Sequence, residues 1–178
     1  MATEQTLQWV IDHEFDRRTY RHKMNGFDTV LHCHHYATLY CQLADDAAQF
    51  QGRMLLVRAA ELAFLDVLST YFSEQGVSDL NDRVALAEEY WRICGWGTLH
   101  FDHVGILSAA AHMDHSHVDE GWLKKWGPRN KPVNYIGQGY LAAVMSAVYG
   151  LPAGSYRVME TQSIVSGAEA SRFGLVRN

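Results

Sequence analysis

Apolar and polar positions follow no regular period over the first 30 residues, which are charged and weakly patterned. From Tyr36 the spacing turns helical. Ala37, Leu39, Tyr40, Leu43, Ala44, Ala47 and Ala48 share one face. Gly52 marks a break. Met54 to Phe72 then predicts one strong helix carrying Leu55, Val57, Leu62, Leu65 and Leu68, closed by Gly76. Ser78 or Asp79 is placed to cap the next helix, Leu80 to Cys94, which Gly95 ends.

The period then changes. Thr98 to Val104 alternates apolar and polar residues as a half-buried strand does. A polar stretch follows Ala109-Ala110-Ala111. Ser116 with Asp119 three residues on fits the Asp form of a capping box, opening a short helix through Trp122 and Trp126. Gly127, Pro128 and Pro132 form a loop. Tyr140 to Tyr149 predicts a buried helix of small residues, stopped by Gly150 and Pro152. Tyr156 to Val165 and Ser171 to Val176 predict two further strands, joined at Gly167. The sum is one α+β domain, helices first and an antiparallel sheet later.

The 178 residues make one ordinary domain, and 48% apolar content is enough for a real core. A net charge of −5 argues against nucleic acid as a partner, which would call for a basic face. Three cysteines, Cys33, Cys41 and Cys94, are odd in number and lack CxxC spacing, so a reducing cytoplasm is the expected compartment. The start is acidic and polar, unlike a secretory signal, and no apolar run suits a membrane span.

Histidine changes the picture. Of ten, eight fall in two regions: His32-Cys33-His34-His35, and His100 to His117. In extended backbone, residues i and i+2 point to one side. His32 with His34, and His115 with His117, could each present two imidazoles to one ion. With Asp114 or Glu120 nearby they form a candidate site for one transition metal, zinc or iron. Without a metal, His100 or His103 with Glu120 behind it is a candidate general base near neutral pH. Isolated histidines such as His13 and His22 suit surfaces and helix caps. No His-Glu-x-x-His motif is present. Trp96 and Trp122 are expected in the core or in a pocket wall.

The later part of the chain carries Pro132-Val133-Asn134-Tyr135, Gly139-Tyr140, Ser146, Gly150-Leu151-Pro152 and Glu160-x-x-Ser163-x7-Ser171-x-Phe173. In this order and spacing it resembles the 4-vinyl-reductase domain family, a hydrocarbon-binding fold shared with the sensor domains of phenol-responsive transcription activators. The resemblance implies a compact pocket for a small hydrophobic or aromatic molecule, and a homodimer. It places Met113 and Tyr140 at the pocket, with Met113 where the sensors have a tryptophan that binds the phenol hydroxyl. That exchange implies that phenol is not the ligand. The sensor branch also holds zinc with three cysteines and a glutamate. Here the matching residues are Asn134, Glu160, Ser163 and Ser171, which implies no structural zinc and a Glu160 hydrogen-bonded to the two serines.

Residues 1–30 are thus expected to form an N-terminal extension, and 31–178 the ligand-binding domain. Two functions stay open. One is a cytoplasmic protein that binds a small hydrophobic or aromatic molecule in a histidine-rich pocket lined by Trp96, Met113, Trp122 and Tyr140. The other is a metal-dependent lyase, hydrolase or isomerase acting on a small aromatic or carbonyl substrate.

Overall fold

In the computed structural model, which describes residues 9–30 and 32–178, the chain opens with a small antiparallel meander. Its strands are β1 (His13–Asp16), β2 (Arg21–Met24) and β3 (Phe27–Thr29), in the order β1-β2-β3. Residues 1–8 of the expected extension, and Leu31 at its boundary, lie outside the described residues. Three helices follow: α1 (His34–Asp46), α2 (Gly52–Glu74) and α3 (Leu80–Ile93). The expected break between α1 and α2 is a 3₁₀ turn, Ala48–Phe50, ended by Gln51 in the left-handed region. Asp79 caps α3, its carboxylate accepting the Asn81 and Asp82 backbone N–H groups.

Next come β4 (His100–Val104), β5 (Ser108–Met113), α4 (His117–Trp126), α5 (Tyr135–Tyr149), β6 (Tyr156–Gln162) and β7 (Ser171–Arg177). The sheet order is β4-β5-β7-β6, every pair antiparallel. This is the expected α+β class. The strand β5 was not expected from the sequence, because Ala109-Ala110-Ala111 carries little strand propensity. Its place between two partners supplies the pairing that its side chains do not.

Helix α5 explains the architecture. It is apolar all round, and nearly every residue is buried. A helix of that kind must be covered on all sides. It lies between the sheet, touching β6 and β7, and the long helix α2, with α3 alongside. Gly139 makes the α2 crossing possible, since a Cβ there would run into the Val57 carbonyl and Ala60. The helix begins five residues earlier than Tyr140 because Asn134 caps it, Oδ1 accepting from Gly137 N–H at 3.1 Å. A second core gathers Ala37, Cys41 and Ala44 of α1 with Val118 and Trp122 of α4, Tyr135 and Val165. Asp45 fastens this end by accepting from Arg129 at 2.7 Å, from the Tyr135 hydroxyl at 2.8 Å and from Arg53. Among the described residues no helix is long and apolar enough to cross a membrane.

Candidate functional site

One short backbone pairing and one close helix approach place the histidines. Residues 96–98 run antiparallel to 115–117: His117 N–H donates to the Trp96 carbonyl at 2.9 Å, and Thr98 N–H to the His115 carbonyl at 3.0 Å. Gly97 sits at φ +112°, and a Cβ on it would collide with the His115 carbonyl. Only glycine tolerates both the dihedral and the approach. Ser116 then caps α4 by accepting from Asp119 N–H, so His117 is the first helical residue and stands beside Trp96. From the other side, α1 comes close to α4, with the His34 Cβ packed on Gly121.

Three of the four histidines expected around a metal therefore converge. The ring centroids of His32 and His117 are 5.9 Å apart, those of His34 and His117 6.0 Å, and Trp96 lies 5.2 Å from His32 and 5.8 Å from His117. The Nε2 atoms of His34 and His117 are buried with no hydrogen-bond partner. Burial, and then the neighbouring imidazoles, hold both rings below the ordinary histidine pKa, so both are neutral at pH 7.

His115 does not join them. The same-side rule needs two extended residues, and His117 is already helical. His115 turns outward, its Nδ1 3.3 Å from Glu120 Oε1 at the surface. Among the described residues, no three His, Cys, Asp or Glu side chains are grouped as a metal would need. The residues considered for base catalysis are also apart. His100 pairs with His112 across the strands, centroids 5.3 Å apart, and His112 lies 2.8 Å from Asp102. An irregularity between Phe101 and His103 shifts the register, leaving His103 exposed. Glu120 is on α4, beside His115 in the segment before it.

A cavity of about 810 Å³ opens between the meander, α2 and the end of α3. Its apolar wall includes Phe27, Phe64, Val67, Tyr90 and Trp96, and His32 and His117 also line it. Of the expected ligand-binding residues, Trp96 is in the lining. Tyr140 is wholly buried behind it, edge-on to Phe64, its hydroxyl donating to the Ala87 carbonyl. Trp122 packs on Trp126, with the Arg129 guanidinium 4.4 Å from its ring. Met113 is buried below the sheet, its sulfur 3.6 Å from Asn134 Nδ2. Sequence reasoning missed Phe64, Tyr90 and the contribution of β2 and β3. Phe64 and Tyr90 sit in helical apolar patterns that look the same for core and cavity wall, so no local signal marked them.

The residues that the motif resemblance set in the place of zinc ligands, Asn134, Glu160, Ser163 and Ser171, form a different object. Ser163 and Ser171 hydroxyls donate to Asp119 at 3.2 and 3.1 Å, and Asn134 Nδ2 donates to Asp119 at 3.0 Å and to Ser116 Oγ at 2.9 Å. Asp119, fully buried, is the centre that the sequence reading overlooked. The two serines also favour the anion of Glu160, but their hydrogen-bond geometry is to Asp119. The hydrogen bond of Glu160 comes instead from Asn134 N–H, at 3.1 Å, and its Oε1 is buried without a partner. This donor set does not suit zinc: the amide and both hydroxyls turn hydrogens, not lone pairs, toward the centre. Burial, and then the Asp119 charge, push Glu160 up to about 7. Burial also raises Asp119, against four stabilising hydrogen bonds.

No protein-family model and no curated protein sequence matches the chain. Solved structures do. The phenol-responsive sensory domain of the transcription activator PoxR, crystallised with phenol, superposes with a TM-score of 0.77 at 13% identity, covering 93% of this chain and 84% of that one. The chain shares the fold of that sensory domain. A trafficking protein particle complex subunit 3 from Naegleria fowleri, covalently bound to palmitic acid, superposes with a TM-score of 0.54 at 9% identity, covering 82% of this chain and 95% of that one. At these identities the likeness is one of fold.

Proposed function

We propose that this protein binds a small hydrophobic or aromatic molecule in the cavity between the meander, α2 and α3. The observation that carries the reading is the cavity itself: about 810 Å³, within the usual size of ligand pockets, with a largely apolar wall into which His13, His22, Asp28, His32, Asp66 and His117 are also set. Two solved structures similar in fold hold phenol in one case and palmitic acid in the other, which supports a ligand-holding interior. The volume is ample for a single aromatic ring and for a fused or substituted one. His32 and His117 with the Trp96 indole offer a polar corner that would orient a hydroxyl or carbonyl group.

Binding is read from tryptophan fluorescence during titration with naphthol and with toluene. Saturable quenching at one ligand per chain is the expected result. Trp96→Phe should remove most of the signal, and His117→Ala should weaken naphthol more than toluene, which has no polar group. Elemental analysis of untagged protein belongs beside it. About one zinc or iron per chain, lost in a His34→Ala/His117→Ala variant, would replace this reading with a metal-dependent one.

A further inference from the structure

A second cavity, of about 500 Å³, opens between the start of α2, the α5 helix and the edge strand β6. It shares no lining residue with the cavity described above. Met54, Val57, Ala142 and Val158 give it an apolar lining, joined by Tyr135 and Tyr156, whose hydroxyls are spent on Asp45 and on the Ile106 carbonyl. Two ion pairs border it, and both are arranged alike. Arg58 Nη1 donates to Glu61 Oε2 at 2.8 Å, and Arg53 donates to Asp45. The acid side chains are withdrawn, 5% and 12% exposed, while the arginine side chains stay 45% and 41% exposed. Positive charge is left accessible at the cavity, and its counter-charge is not.

We propose that this cavity is a second site, which binds a small organic carboxylate with its apolar body against α5 and β6 and its anionic head on Arg58. Glu61 is committed to holding that arginine. Its Oε1 accepts from Gly154 N–H at 2.6 Å and its Oε2 from Arg58, so neither oxygen is free. Gly154, at φ +88°, leaves room for the guanidinium: a Cβ there would come within 3.1 Å of Arg58 Nη1. A guanidinium carries five N–H donors in a planar fork, and Arg58 spends Nη1 on Glu61. Among the described residues its other donors have no partner, and the fork fits a carboxylate with two parallel hydrogen bonds. Arg53 and Arg157 also line the cavity, so three of its four charged side chains are cationic. The Gln138 amide, unpartnered among the described residues, is a further donor in the same lining. A bare inorganic anion would leave the apolar lining uncovered, and a neutral hydrocarbon would bury the arginine without an acceptor. The volume is within the range of small-molecule sites. The proposal stands whether or not the first cavity is filled.

The test is calorimetric titration of the full chain with decanoate below its micelle concentration, beside decanol and inorganic phosphate. One decanoate per chain is expected, bound about tenfold tighter than decanol. Phosphate should not bind, and raised salt should weaken decanoate. Amide shifts on adding decanoate should fall at Val57, Gln138, Ala142 and Gly154 and not at Phe64 or Trp96, and should be the same with or without naphthol. Arg58→Gln, with an unchanged circular dichroism spectrum, should lower decanoate affinity about tenfold, while Arg17→Gln, in the turn between β1 and β2, should not change it. The decanol comparison and the shifts use the unaltered protein, so they decide the matter even where Arg58→Gln does not fold. Decanol bound as tightly as decanoate, shifts confined to the first cavity, a folded Arg58→Gln variant of unchanged affinity, or no decanoate binding at all overturns the proposal.

Discussion

At the scale of single residues, the buried polar groups carry the sharpest consequences. Asp119 draws three side-chain donors from three distant segments, Asn134, Ser163 and Ser171. Asp119→Ala removes the acceptor that all three share, and the expected loss is about 3 kcal/mol or more in denaturant unfolding. Glu160 makes stability depend on pH. Its folded-state pKa, about 7, lies above the ordinary 4.5, so the folded protein binds the extra proton between those values. Stability from this group is full below pH 4.5 and declines as pH rises toward 7, by on the order of 3 kcal/mol at most. Glu160→Gln should flatten that decline, so that the variant gains on the parent protein as pH rises from 5 to 8; an unchanged difference would remove Glu160 as its source. His117 works in the opposite direction. Its folded pKa is lowered, so its contribution is present above the ordinary histidine pKa and is lost as pH falls below it. The histidine convergence was legible in the sequence only in part. The clusters pointed to His32, His34 and His117, but not to His115 leaving them, because that depends on where α4 starts to within one residue. Asp119 was visible only as a capping residue; its second role is long-range.

At the scale of elements, what could be read locally was read. The α2 and α3 helices, with Asp79 and the glycines after them, announce themselves by period and caps. The elements missed were those that long-range pairing makes. Strand β5 is alanine-rich and stands only because β4 and β7 flank it. The meander has short strands and large exposed side chains, and Trp9, just before it, helps fasten it to the helices. Trp9 is buried, stacked 3.6 Å from Tyr71 and tilted against Tyr90 at 4.6 Å, and Val10 N–H donates to the Tyr71 hydroxyl at 2.8 Å. The meander walls the cavity while making few contacts with the helices beneath it. Trp9→Ala should therefore cost about 3 kcal/mol and, more tellingly, speed ligand release in stopped-flow measurements by more than it slows binding. Equal release rates would mean that the meander is not a cover. Gly97→Ala should act on a different element. It pushes the 115–117 segment away from Trp96, and the expected sign is a lost naphthol signal together with a lower melting temperature.

At the scale of the molecule, one arrangement unites these features. The helix α5, apolar on every side, forces a sheet on one face and α2 on the other. The far side of α2 and the end of α3 are then left to form a wall, and the meander closes over it. The motif resemblance lay in the region from Pro132 to Phe173, which builds the core and the Asp119 network, and so it located the fold better than the cavity. The lining comes mostly from earlier in the chain, where sequence patterns for core and pocket are the same. The most direct test is nuclear magnetic resonance of the isotope-labelled protein titrated with naphthol. Amide shifts are expected to concentrate at Phe27–Val30, Phe64–Val67, Trp96 and His117, saturating at one ligand per chain. Shifts confined to other surfaces, or none at all with any hydrophobic probe, would contradict the account.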